Sequence, residues 1–186
     1  MGKDGKGGGE GRLYLRVCTN AHRGATGVSS GMIALEDISE ISITDSVFTE
    51  FASVHSSAAA VYAALSDAGP GHVRSRVVME RCSFTFNRVP QGSGGIWSNV
   101  DVLRVRNCTF EHNSGRAGAS VRHVSRALPR VGDDEMVEVS GSDFLCNVGR
   151  ATFAGGISLR TMRSSLVENC NFTLNFGCVV QTREGQ

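Results

Sequence analysis

Apolar and polar residues alternate along this chain in short runs, and five of the runs share one frame set by a phenylalanine. Counted back from Phe48, Phe84, Phe110, Phe144 and Phe172, the positions seven and five residues upstream carry Ile41 and Ile43, Val77 and Met79, Leu103 and Val105, Val137 and Val139, and Ser165 and Val167. Two residues upstream stand Ser46, Cys82, Cys108, Ser142 and Cys170. Period-two alternation with one apolar face predicts β-strands. The inward parity changes between the fifth and second upstream positions, so the chain must bend there. Asp45, Arg81, Asn107, Gly141 and Asn169 occupy the bend. Asp, Asn and Gly suit a left-handed backbone at such a corner, and Arg81 is the misfit.

Four of the phenylalanines are followed three residues later by asparagine: Asn87, Asn113, Asn147 and Asn175. Nine Phe and nine Asn placed at random would give about 0.4 such pairs, so the unit is a repeat. Phe51 takes the asparagine position in the earliest unit. A small-residue turn and a second apolar run follow, clearest in Gly94-Gly95-Ile96-Trp97 and Gly155-Gly156-Ile157-Ser158, weaker in Ala117-Gly118-Ala119-Ser120. Successive phenylalanines are 36, 26, 34 and 28 residues apart, too irregular for a helical repeat. Length varies in one sector, as in the stretch RALPRVGDDE at 126–135, which a stack of coils tolerates because each coil touches only its neighbours.

The expected fold is all-β, a parallel β-helix (a β-solenoid) with five recognisable coils and residues 12–30 as a candidate sixth. Equivalent residues would lie one above another at the inter-strand spacing of about 4.8 Å. The expected structural ladder comprises Phe84, Phe110, Phe144 and Phe172 as an aromatic core column. Asn87, Asn113, Asn147 and Asn175 form an amide column at a corner, and Cys82, Cys108 and Cys170 a column of small buried thiols with Ser142 among them. The same register sets Glu80 beside Arg106, and Arg104 beside Glu138, on an outward face.

FxxN units alternating with GG-Ile units resemble the repeats of chlamydial-type polymorphic outer membrane proteins and, more broadly, right-handed parallel β-helices of the pectate-lyase type. The resemblance spans roughly residues 31–180. It implies a right-handed helix with three sheets per coil, in keeping with the handedness of parallel crossovers, to which the repeat count adds about five to six coils. It also implies an extracellular or cell-surface location, as part of a larger secreted protein, and an adhesive role. The opening MGKDGKGGGEGR lacks the apolar segment of a signal peptide, and no C-terminal run of alternating strands suits a membrane barrel. The expected organisation is a flexible Gly-rich leader over 1–12 and a single β-helix domain over 13–183, a fragment of a longer solenoid whose uncapped coils would associate end to end.

Composition narrows the partners. Lys and Arg number 19 against 18 Asp and Glu, so the net charge of +1 points neither to nucleic acid nor to an anionic membrane. No apolar run approaches the roughly 20 residues of a membrane span. The six cysteines lack paired CxxC spacing, which argues against a zinc site. Cys82 and Cys108 on adjacent coils would lie within disulfide range, and a bridge between them is left open.

Right-handed β-helices include enzymes that cleave polysaccharides, chemistry that needs paired carboxylates or a calcium-binding acidic cluster. The one acidic cluster is Asp133-Asp134-Glu135, in a loop with Arg126 and Arg130, and Asp101 is a further candidate. Gly69-Pro70-Gly71-His72 is not the Gly-His-Gly motif of the hydrolases, and nothing matches their Asn-Thr-Asp. His22, His55, His72, His112 and His123 share no column. Asn107-Cys108-Thr109 and Asn171-Phe172-Thr173 read as glycosylation sequons or as by-products of the repeat. No catalytic, metal or cofactor site is assigned, and no cofactor is called for. The expected function is non-enzymatic adhesion to a glycan or surface protein, with inserts 62–76 and 121–135 as contact loops. A polysaccharide lyase or glycoside hydrolase and a purely structural solenoid fragment are the alternatives. The stretch VRNCTFEHN at 105–113, which gathers Cys, Glu and His, reads as one coil of a scaffold.

Overall fold

The computed structural model describes residues 12–15, 20–23, 33–36, 39–53, 60–64, 74–116, 119–124, 136–149, 154–161 and 164–184. Every regular element among them is a β-strand, and every strand pairing is parallel. The strands make three sheets. The first contains Arg12–Leu15, Glu40–Thr44, Arg76–Glu80, Val102–Arg106, Met136–Ser140 and Ser164–Glu168 in that order. The second is built around Val47–Ala52, Ser83–Thr85, Thr109–Glu111, Asp143–Leu145 and Asn171–Thr173, with the short strands Arg88–Val89, Ser114–Gly115 and Val148–Gly149 alongside. The third contains Ile33–Glu36, Val61–Ala64, Ile96–Ser98, Val121–Val124, Ala154–Thr161 and Cys178–Glu184. The chain visits first, second and third sheet in turn, then begins the next circuit one strand over.

Register follows the phenylalanine frame. Ile41 pairs with Val77, then Leu103, Val137 and Ser165 in the first sheet. Phe48 pairs with Phe84, then Phe110, Phe144 and Phe172 in the second. Slipping by one residue would turn each apolar set outward, which is why the register is specified so strongly. The inward residues of all three sheets meet in one core that includes Ile43, Met79, Leu103, Val61, Ile96 and Ile157.

Both corners of the second sheet use left-handed backbone. Asp45, Arg81, Asn107, Gly141 and Asn169, at the bend before the phenylalanine, all have φ between 50° and 57°. Arg81 adopts it although its side chain gains nothing locally from αL. Its guanidinium instead clasps Asp45 on the preceding circuit, Nε to Oδ1 at 2.8 Å and Nη2 to Oδ2 at 3.1 Å. A second left-handed column, at Glu50, Phe86, His112, Cys146 and Leu174, was not anticipated. Its cause is legible afterwards. Phe and Asn both point inward but are three residues apart, an odd offset that needs another bend. Such conformations cost roughly 1–2 kcal/mol each for L-residues. The cost is offset because hydrogen bonding between circuits continues around both corners, with Arg81 N donating to Arg106 O and Phe86 N to Glu111 O.

The paired glycines of the GG-Ile units are required by crowding. A Cβ on Gly94 would sit 2.7 Å from Ala119 O and 2.8 Å from Asn87 O. On Gly95 it would collide with Ser120 O and approach the Phe110 ring at 3.1 Å. The inserts 62–76 and 121–135 need correction as whole loops. Tyr62–Ala64 and Val121–Val124 belong to the third sheet and Arg76 begins a first-sheet strand, because Val61, Ala63, Val121 and His123 alternate inward. Residues 65–73 and 125–135, like 1–11 of the proposed leader, lie outside the described residues, and the first strand begins at Arg12, the last position assigned to that leader.

Candidate functional site

The repeated polar residues face inward, and each is engaged by a neighbouring circuit. Asn113 is completely buried. Its Nδ2 donates to Phe84 O at 2.8 Å and to Asn147 Oδ1 at 3.1 Å. Its Oδ1 accepts from Asn87 N at 3.1 Å and Asn87 Nδ2 at 3.0 Å. All four hydrogen-bonding positions of the amide are therefore filled. Asn87 and Asn147 repeat the pattern, donating to Phe48 O and Phe110 O, and Asn175 donates to Phe144 O. Where Phe51 replaces asparagine, its N–H still donates to Asn87 Oδ1 at 2.9 Å.

Beside the asparagines, the phenylalanine rings stack from Phe48 through Phe84, Phe110 and Phe144 to Phe172, with centroids 4.7–4.9 Å apart. The serine and cysteine column has a hydrogen-bonding reason beyond size. Cys82 N donates to Cys108 Sγ at 3.4 Å, and Cys108 N to Ser142 Oγ at 3.1 Å. Each side chain in turn reaches a carbonyl two residues back, as Ser142 Oγ does to Ser140 O at 2.9 Å. Ser and Cys interchange because both accept and donate at this corner. Cys82, Cys108, Cys146 and Cys170 are free thiols, so no bridge joins Cys82 to Cys108. Contact with the Cys82 thiol and burial push the Cys108 thiol up, and burial does the same to Cys170. A thiol that holds its proton more tightly in this way is a poor nucleophile.

On the outward face of the first sheet the charges pair across circuits: Arg104 meets Glu138 as the register suggested, but Arg106 does not pair with Glu80. Arg106 turns from its neighbour Glu80 to Glu138, with Nε at 2.6 Å from Oε1 and Nη2 at 2.9 Å from Oε2. Arg104 Nε adds a contact at 3.3 Å to Glu138 Oε2. A bidentate fork onto a carboxylate that is nearly buried outcompetes a looser pairing with exposed Glu80, which is taken by Arg81. The Arg106 guanidinium holds the Glu138 carboxyl below its usual range.

Among the described residues, those suited to catalysis do not converge. Asp101 binds Ser75, Oδ2 accepting from both its N–H and its Oγ at 2.7 Å. Asp133, Asp134 and Glu135 lie outside the described residues. His123 is buried in the third sheet against Ser98 Oγ at 2.8 Å. His112 is exposed at the second corner, stacked on Phe86 with centroids 5.0 Å apart, and its Nε2 lies 3.5 Å from Glu111 Oε1. Among the described residues no three of His, Cys, Asp or Glu are grouped to hold a metal. No helix among them is long and apolar enough to cross a membrane.

The outward face of the third sheet differs from the others. Tyr62 and Trp97 stack with centroids 4.7 Å apart and planes 13° from parallel. Arg122 follows Trp97 in register on the next circuit, and Ser158 follows Arg122. Sequence reasoning gave Tyr62, Trp97 and Arg122 no individual role: Tyr62 and Arg122 fell at the starts of the inserts 62–76 and 121–135 expected as contact loops, and Trp97 in a GG-Ile unit. Their only signal was that each comes directly after an inward β-branched residue, Val61, Ile96 or Val121. No family model, curated protein or solved structure matches the chain.

Proposed function

We propose that the chain is a right-handed parallel β-helix of six coils with three sheets per coil, similar to polymorphic outer membrane protein repeats, and that it acts at a cell surface or outside the cell as a non-enzymatic adhesion module for a glycan or protein partner. The cyclic order of the strands supports the coil count, and the near-universal handedness of parallel crossovers supports the right-handed sense. The observation that carries the functional reading is the division of labour between the two faces of the strands. Residues that recur from circuit to circuit, the Phe, Asn and Ser/Cys columns, are engaged inside by the scaffold. The outward positions vary and form flat rows on rigid strands, a surface suited to recognition.

The test applies labelled full-length chain to cultured cells, untreated and after protease or glycosidase digestion, together with a screen for polysaccharide turnover. Saturable binding that one digestion removes is the expected result. Absence of saturable binding, or release of reducing ends or unsaturated sugars from a polysaccharide, would overturn the reading, the second outcome in favour of a lyase or hydrolase.

A further inference from the structure

The side-chain rows on the third sheet carry a charge pattern that the first sheet does not. On the first sheet Arg104 and Arg106 converge on Glu138, and Arg81 on Asp45 and Glu80, so positive charge is neutralised within the face. On the third sheet the outward row reads Ala34, Tyr62, Trp97, Arg122 and Ser158, and two residues further along Val124 pairs with Arg160. The only charged side chains described on this face are Arg122 and Arg160, and neither has a carboxylate partner among the described residues. Arg122 is half-buried, and that burial lowers its affinity for its proton. A guanidinium drawn partly out of water beside an aromatic pair, with no acid among the described residues to satisfy it, is a receptor for an oxyanion that can take two parallel N–H bonds.

The neighbouring rings define what else the ligand must carry. Tyr62 and Trp97 cover each other's faces, which leaves no slot between them for a flat base to enter. They present a two-ring apolar ledge, with Ala34 adding only a methyl group beside Tyr62. A sugar ring can lay its C–H edge against such a ledge while its hydroxyls remain in water. The row from Tyr62 to Ser158 spans three coil steps, about 14 Å at the strand spacing, enough for a short oligosaccharide. We propose that this face binds an acidic oligosaccharide, the sugar rings against Tyr62 and Trp97 and a carboxylate or sulfate on Arg122, with Arg160 as a second anion contact. This rests on the binding function proposed above and names its site and ligand class.

Trp97 is the only tryptophan in the chain, so its fluorescence reports on this face in the unaltered protein. The experiment titrates the full chain with four probes: a heparin oligosaccharide (sulfate-bearing), a hyaluronan oligosaccharide (carboxylate only), a neutral cello-oligosaccharide, and single-stranded oligothymidylate. Binding is read by Trp97 emission and by biolayer interferometry. At least one acidic sugar should bind and perturb the emission, and comparison of the two identifies the anion. Arg122→Gln should weaken that binding about tenfold or more, the scale of a lost charged hydrogen bond. Trp97→Ala should weaken it comparably, while Arg116→Gln, on another face, leaves it unchanged; circular dichroism checks that each variant is folded. Acidic-sugar binding that leaves Trp97 emission and Arg122→Gln affinity unaltered would place the site elsewhere and overturn this inference alone. Preference for the neutral sugar or for the oligonucleotide would overturn the ligand class. Saturable cell binding without affinity for any of the four probes would sink this inference and leave the adhesion reading standing.

Discussion

Asn113→Ala should unfold the protein at markedly lower denaturant than the parent chain. The deletion removes the acceptor of Asn87 N–H and the side-chain donor to Phe84 C=O, both inside a column with no exposed surface. Each buried backbone group left unpaired costs about 1–3 kcal/mol. Two such groups make the expected loss about 2–6 kcal/mol, before any cavity contribution. A typical domain has only about 5–15 kcal/mol of stability, so one amide accounts for a large share. Asn171→Ala is the matched control, because Asn171 is exposed and, among the described residues, its side chain hydrogen-bonds only to exposed Thr173. It should lie within about 0.5 kcal/mol of the parent. Urea titration followed by far-UV circular dichroism and by Trp97 fluorescence measures both. An Asn113→Ala midpoint indistinguishable from that of Asn171→Ala would refute the idea that the amide column satisfies the corner backbone.

Three further outcomes follow from the same structure. Gly95→Ala should destabilise the chain by about 1–3 kcal/mol or more in a thermal melt, since its Cβ collides with the Ser120 carbonyl and the Phe110 ring cannot retreat from its stack. Glu138 has its pKa depressed by Arg106, so its contribution is fully present above the unfolded value of about 4.3 and is lost as pH falls through the folded value. Glu138→Gln should therefore be less stable than the parent at neutral pH, and the gap should narrow as pH falls below about 4.3, in urea midpoints measured across the acid range. Alkylation of native protein with iodoacetamide, read by peptide mass spectrometry, should modify half-buried Cys146 well before Cys82 and Cys108, which are sealed in the core. Equal rates at the three would contradict the buried thiol column.

The frame of the repeat was legible because the inward positions obey a short-range rule. Ile41 and Ile43, Val77 and Met79, Leu103 and Val105, and Val137 and Val139 recur two residues apart at a fixed distance from each phenylalanine, and the Phe-x-x-Asn spacing recurs too often for chance, so register could be read from one dimension. The second left-handed corner was equally implied, since Phe84 and Asn87 both face inward at an odd separation. It was missed because Glu50, Phe86, His112, Cys146 and Leu174 are not residues that advertise a positive φ. The cysteine column was read as small hydrophobes because hydrogen bonds from another circuit, such as Cys82 N to Cys108 Sγ, leave no local trace.

The pattern of residues by itself determined the strands, their inward faces and the stacking of like on like. These follow from alternation and steric volume, which act over a few residues. Only the tertiary structure decided that Arg106 grips Glu138 and not Glu80, that Ser75 occupies Asp101, and that Tyr62, Trp97 and Arg122 share an outward row. Those choices depend on which side chains the circuits bring within a few ångströms. Intervals of 36, 26, 34 and 28 residues carry no such information until the chain has closed each circuit.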